Sequence, residues 1–269
     1  MKTKNKTNLI LWLILGLTYF AFFGMVIVNI PFTLLGVIVT NDANYILSPI
    51  IAEFTSAIYR ALEATIFILL IRRITFKEIV TEKLNSKVWI GILLAFSYSS
   101  AYYLLTVPEQ HDFAATHFLR TLLVAPIFEE LMFRGAIQRT LKAYGGSKFA
   151  ITFTTIIFAL YHFDIQQSLF VIPLSLLFGY LADKYSLKHS ILAHIAGNSV
   201  SLIYYIFPKL ITLSGLCGIV VIIIMLIIKR KSIINVFSQK TEKGMYKKAF
   251  LNVPMMLILL TFVLVFIGS

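Results

Sequence analysis

Acidic residues are scarce in this chain: 12 Asp and Glu stand against 24 Lys and Arg in 269 residues, and charged residues make up only 13%. Cysteine is nearly absent. The single Cys217 excludes an intramolecular disulfide, and in an apolar run with no basic neighbour to favour its thiolate it reads as a packing residue. No polar stretch is long enough to hold a soluble domain, and no internal repeat, low-complexity tract or interdomain linker divides residues 1–269, which read as a single membrane domain. The His-Glu-x-x-His of zinc proteases and the Gly-x-Ser-x-Gly of serine hydrolases are both missing.

What is there is apolar. Hydrophobic residues make up 59% and the mean hydropathy is +0.87, far from the balance of a soluble domain. Apolar windows of bilayer-crossing length recur at about 8–30, 47–71, 88–107, 118–138, 149–163, 167–182, 189–207, 210–228 and 250–267. The fold class expected is all-α: a polytopic transmembrane helix bundle of eight or nine spans. The windows at 149–163 and 167–182 are short, which suggests tilted, partial or re-entrant elements shielded by neighbours.

The net charge of +12 raises the question of nucleic acid, and the placement of the basic residues answers it. The N-terminal tail and segments 72–87, 139–148, 183–188 and 229–249 hold 20 of the 24 Lys and Arg. With alternating spans these segments share one side, so the positive-inside rule puts the N-terminus in the cytoplasm. The charge is an orientation signal, with lipid headgroups as a further partner of the 229–249 segment, and no nucleic acid is implied. Lys2, Lys4 and Lys6 precede a long apolar run without a small-x-small cleavage site, which reads as a retained first span and not a cleaved signal.

Charge inside a span costs upwards of about 3 kcal/mol unless partners or water reach it, so each buried ionisable residue needs an explanation. Glu53, Arg60 and Glu63 fall on one face of the second window and read as a charge cluster tying helices together. Within Pro126 to Gly135, PIFEELMFRG, Glu130 and Arg134 stand four apart with the acid first, the favourable orientation for a helical ion pair. Glu129 is turned about 100° from Glu130, so Arg134 cannot fully serve both. His162 ends a window as FALYH with Phe158 one turn before it, and His194 and Asn198 lie one turn apart in HIAGN. A carboxylate, two imidazoles and a carboxamide are thus available to converge inside the bundle.

APIFEELMFRGAI, then FALYH, then GYLADKYSLKHSILAHIAGN resemble the three motifs of the CPBP family, the CAAX protease and bacteriocin-processing (Abi) membrane proteins. The resemblance spans about 118–206. It implies a glutamate-dependent intramembrane endopeptidase in which Glu129 and His162 activate a water, His194 and Asn198 stabilise the oxyanion, and Glu130, Arg134 and Phe158 support the motifs. It implies no cofactor and no bound metal. A zinc site built from Glu129, His162 and His194 is the alternative that the residue types themselves allow. The substrate implied is a peptide or membrane-protein segment, cut in bacteriocin processing or self-immunity at a bacterial plasma membrane. A non-catalytic immunity or regulatory protein that binds a membrane partner is the competing reading, and a proton-coupled transporter the third.

Straight helices counted from the nearest basic residue put Glu129 at ~15 Å, His162 at ~21 Å and His194 at ~9 Å along the bundle, an uneven set of depths for one site. Convergence requires the four side chains to lie within about 10 Å of one another. His111, His117 and His189 fall at span ends and read as solvated or interfacial; Asp164 reads as a loop acid and Ser199 as a helix-packing residue.

Overall fold

A computed structural model describes residues 8–19, 49–71, 81–106, 119–162 and 164–268. All regular structure among them is helical. The helices are α1 (Asn8–Tyr19), α2 (Pro49–Ile71), α3 (Val88–Thr106), α4 (Arg120–Leu160), α5 (Ile165–Lys184), α6 (Leu187–Ile206), α7 (Leu210–Ser238), α8 (Met245–Phe250) and α9 (Val253–Gly268). Of these, α3, α4, α5 and α7 are long and apolar enough to cross a membrane. Helices α2 and α6 have spanning length but carry the charged and polar residues that face inward. The expected first span is described only as far as Tyr19, and His111, His117 and the side chain of Glu53 lie outside the described residues.

The run α4 is a hairpin, not a rod. Gly146 takes φ 80° and ψ 171°, a backbone conformation that glycine reaches without a Cβ penalty, and the chain reverses there. Phe133, thirteen residues before it, meets Phe158, twelve residues after it, edge to face at 4.9 Å. The two limbs therefore run antiparallel, as expected for separate windows at 118–138 and 149–163. The first limb contains two π-helical stretches, Arg120–Val124 and Leu131–Gln138. All eight residues of the second are buried, at the centre of a core that includes Met132, Phe133, Ile137, Phe149, Phe153 and Phe158.

Two elements outgrow their expected lengths. Helix α5 begins at Ile165, where the Asp164 side chain accepts a hydrogen bond from Gln167 N–H and so caps the first turn. It is a full-length helix, not a partial one. Helix α7 runs on to Ser238 through a segment expected to be loop, because no proline or glycine lies between Gly218 and Gly244 and its lysines can bury their stems while keeping their charges in water.

Small residues set how closely the outer helices approach. A Cβ on Gly218 would stand 2.4 Å from the Ser97 carbonyl oxygen, and one on Gly215 would stand 2.9 Å from that of Ser100, so α3 and α7 touch backbone to backbone, the usual packing device where lipid replaces water. The basic segments collect at one end. Glu82 pairs with Arg139 and accepts from Leu187 N–H, Lys142 pairs with Asp183 at 2.6 Å, and Tyr246 bonds Thr152 at 2.7 Å. This draws 81–87, 139–148, 183–188 and 229–249 together, as a shared side requires.

Replacing Gly218 by Ala is expected to lower the stability of the purified protein by about 1–3 kcal/mol, because α7 must move off a backbone atom that cannot yield. Gly244→Ala meets nothing within 4 Å and is expected to cost only about 1 kcal/mol, for its positive φ. Thermal unfolding in detergent ranks the two.

Candidate active site

The innermost charges are Glu130 and Arg134, 0% and 1% exposed. They pair across one helical turn at 2.8 Å, as their spacing predicts. Each is then secured by another helix. Arg134 Nη2 donates to the Ser175 hydroxyl at 2.7 Å and its carbonyl at 3.3 Å on α5, and the guanidinium lies 4.5 Å over the Phe158 ring. Glu130 accepts from the Ser190 hydroxyl and from His194 Nδ1 at 2.9 Å on α6. A buried ion pair persists only when such additional bonds satisfy its remaining donors and lone pairs.

Glu129, rotated away on the same turn, is buried and finds its partner 69 residues away: Arg60 of α2 donates to Oε1 at 2.6 Å. This cation is the functional residue that the sequence reading did not connect. Its signal was available, since Arg60 is the basic residue of α2 and Glu129 the acid that Arg134 leaves unserved. Glu63, one turn from Arg60, accepts a hydrogen bond from the Tyr161 hydroxyl at 2.9 Å, and Arg60 lies 5.7 Å over the Tyr161 ring. The charge cluster expected on α2 therefore ties α2 to both limbs of α4.

The second oxygen of Glu129 faces His194 Nε2 at 3.9 Å, beyond direct hydrogen bonding but a distance that one water can bridge. His194 is oriented by its Nδ1 bond to Glu130 and by stacking on Phe178 with ring centroids 4.6 Å apart. His162 has its Nδ1 2.8 Å from the Phe158 carbonyl. A carbonyl only accepts, so Nδ1 carries the proton and Nε2 holds a lone pair. The His162 ring packs edge-on to Phe158 at 4.9 Å, and the His194 ring approaches the same Phe158 at 6.1 Å. Phe158 thus sets the spacing of the two imidazoles, and His162 is within electrostatic reach of Glu129, Arg60 and His194.

The hairpin levels Glu129 with His162. Counted from Gly146, Glu129 is 17 residues along one limb and His162 is 16 residues past it, an equal distance along antiparallel helices. Arg139 is not a limb end; the helix continues through it, with Glu82 as its partner.

Asn198 has a local role that the spacing did not reveal. In the first π-helical stretch Ala125 N–H bonds to the Arg120 carbonyl, and the next residue, Pro126, has no N–H to offer the Thr121 carbonyl. Asn198 Nδ2 donates to that orphaned oxygen at 2.9 Å. This joins α6 to α4 two turns before Glu129 and uses one of the two amide hydrogens.

Residues 111–200 match the family model described as Rce1-like, type II CAAX prenyl endopeptidase Rce1-like. Over that segment the chain is similar to the CAAX protease family. No curated protein and no solved structure matches it. The segment that matches the CAAX protease model holds Glu129, Glu130, Arg134, Phe158, His162, His194 and Asn198, whereas Arg60 and Glu63 come from outside it.

Several residues sit differently from expectation. His189 is fully buried and not interfacial: its Nδ1 meets the Ser186 hydroxyl at 2.7 Å, its Nε2 meets Asn85 Oδ1 at 3.2 Å, and its ring stacks on Tyr185, which anchors the loop before α3. Cys217 is exposed on α7 and does not pack in the core. Ser199 bonds only its own helix, at Ala196. Among the described residues no three His, Cys, Asp or Glu side chains are grouped so that they could hold a metal; Arg60 is bound to Glu129 Oε1, and Oε2 is the oxygen that faces His194.

The two carboxylates should differ in what their loss does. Glu130→Gln strands the Arg134 charge in the core and is expected to destabilise by about 3–5 kcal/mol. Glu129→Gln leaves Arg60, whose side chain is 25% exposed, access to solvent and should cost less than half as much. Melting temperature and folded yield of the two variants measure the difference.

Proposed function

We propose that the chain is an intramembrane endopeptidase that hydrolyses a peptide or membrane-protein segment with a water activated by Glu129. The match over residues 111–200 supports the broad activity, a CAAX-type membrane peptidase. The observation that carries the finer reading is the 3.9 Å gap between Glu129 Oε2 and His194 Nε2, bordered by two imidazoles that are each held through Nδ1. A water in that gap gives one proton to Glu129 while His162 Nε2 accepts its other hydrogen bond, and the oxygen lone pair is left to attack a peptide carbonyl. The C–O bond forms, the carbonyl becomes an oxyanion, and the proton held by Glu129 passes to the departing amine as the C–N bond breaks. The oxyanion is stabilised by His194 when protonated at Nε2 and by the second amide hydrogen of Asn198, whose carboxamide is fixed in advance by Thr121. Arg60 holds Glu129 through Oε1 and leaves Oε2 turned toward the gap. No metal or other cofactor enters this scheme.

The fuller architecture belongs to the same proposal: eight or nine spans, the N-terminus and the basic end in the cytoplasm of a bacterial cell, and processing of a bacteriocin or other exported peptide, or self-immunity, as the physiological setting. The depth of the site below the basic end supports access from that side. Glu82 holds both Arg139 and Leu187 N–H, and from there Glu130 and His194 lie nine and seven residues inward, roughly 14 and 11 Å.

The test uses the purified full chain and a mixture of synthetic peptides read by mass spectrometry. Glu129→Gln should reduce cleavage by at least about 100-fold, the scale of a lost general base, at a melting temperature that shows a folded protein, and a chelator should leave the wild-type rate unchanged. Undiminished cleavage by folded Glu129→Gln protein would overturn the assignment, and physiological function surviving in such a variant would make the chain a binding protein. Loss of cleavage on chelation would replace the metal-free scheme with a zinc one.

A further inference from the structure

Away from the carboxylates, α3, α5 and α7 enclose a cavity of about 340 Å³. It exists because α3 and α7 touch at Gly215 and Gly218 and part beyond that point. Ile90, Leu94, Leu174, Leu177, Ile222 and Met225 are among its walls. On α7, residues 222, 225, 229, 232 and 236 line it and are half-buried on a helix that is otherwise largely exposed there. Their alternating spacing of three and four places them along one stripe.

Two lysines line this otherwise apolar space, and they are level with each other. Gly218 packs on Ser97 between helices that run in opposite directions. Lys87 is ten residues before Ser97 and Lys229 eleven residues after Gly218, so both reach the same end of the cavity. Tyr180 and Tyr185 line it as well, an amphipathic pair suited to a boundary that is apolar on one side and wet on the other. Among the described residues Asp183 is engaged with Lys142 and Glu82 with Arg139, and neither Lys87 nor Lys229 forms an ion pair. The cavity also opens toward the bilayer: Leu226, which lines it, is 55% exposed, and beside it Ile223 and Ile227 point outward at 53% and 64%.

We propose that this cavity binds an anionic phospholipid, with an acyl chain between α3, α5 and α7 and its phosphate at the end lined by Lys87 and Lys229. An apolar pocket with a few convergent polar groups is the general form of a small-molecule site. Here the polar groups include cations that form no ion pair among the described residues, and the neighbouring phase is hydrocarbon. A phosphate supplies the missing counter-charge, and an acyl chain fills a space that water has too few polar groups to occupy. The inference depends on the membrane setting and the cavity alone, and it holds whether or not the carboxylate site cleaves peptides.

The experiment takes the purified, delipidated full chain and titrates it separately with dioleoyl phosphatidylglycerol, dioleoyl phosphatidylcholine and inorganic phosphate, counting bound molecules by native mass spectrometry and following the melting temperature. One phosphatidylglycerol should bind in preference to phosphatidylcholine, and phosphate alone should produce no shift. Lys87→Gln and Lys229→Gln should each weaken binding roughly fivefold and the double variant roughly 25-fold, the scale of one lysine near a lipid surface. Met225→Trp, which fills the cavity from α7, should abolish the bound lipid while a melting transition confirms folding. Equal binding of the two lipids, retention of phosphatidylglycerol by folded Met225→Trp protein, unchanged affinity in the double lysine variant, or an equal shift from inorganic phosphate would each overturn the proposal.

Discussion

A carboxylate and a guanidinium sealed from solvent at the centre of a helical bundle constrain every helix around them. Glu130 and Arg134 leave lone pairs and N–H groups beyond the bond they make to each other, and neighbouring helices meet most of them, Arg134 Nε excepted. Ser175 fixes α5, Ser190 and His194 fix α6, and Phe158 from the second limb of α4 lies against the guanidinium. Because His194 is recruited as a donor to Glu130, its other nitrogen is turned toward Glu129. The orientation of one candidate catalytic imidazole thus follows from satisfying a neighbouring structural charge.

Glu129 is the complementary case. It shares a helical turn with Glu130 but not its partner, so a second cation has to arrive from outside the matched segment, and α2 is drawn in by Arg60. The π-helical stretches that flank this turn have a related consequence. Widening the helix before Pro126 leaves the Thr121 carbonyl without a backbone donor, and Asn198 supplies one from α6. Two of the residues offered to the oxyanion in the proposed reaction, His194 and Asn198, are held by bonds that the first limb of α4 requires for its own stability. Such double use gives a rigid arrangement without additional residues, and rigidity is what electrostatic stabilisation of a transition state demands.

Helix α5 separates two environments. Ser175 and Phe178 face the ion pair and the His194 ring, while Leu174, Leu177 and Leu181 face the apolar cavity under α7. The carboxylate site is crowded with reciprocal hydrogen bonds, whereas the cavity has lysines with no counter-ion among the described residues, a contrast between a self-contained polar centre and the space proposed to hold a lipid.

The amino-acid pattern alone determined that this is a helical membrane protein, that its basic segments share one end, that Glu130 and Arg134 pair, and which residues carry the three motifs. Each of these follows from composition or from contacts within a few residues, where helical geometry is fixed by the backbone. The reversal at Gly146 was legible too, as a glycine pair between two apolar windows. The Arg60–Glu129 pair, the burial of His189 against Asn85, the use of Asn198 at Thr121 and the cavity under α7 were decided by tertiary structure. They join residues roughly 70 to 100 positions apart, or depend on where two helices stop touching. Local periodicity specifies which face of a helix is polar; which distant helix meets that face is set by the packing of all of them at once.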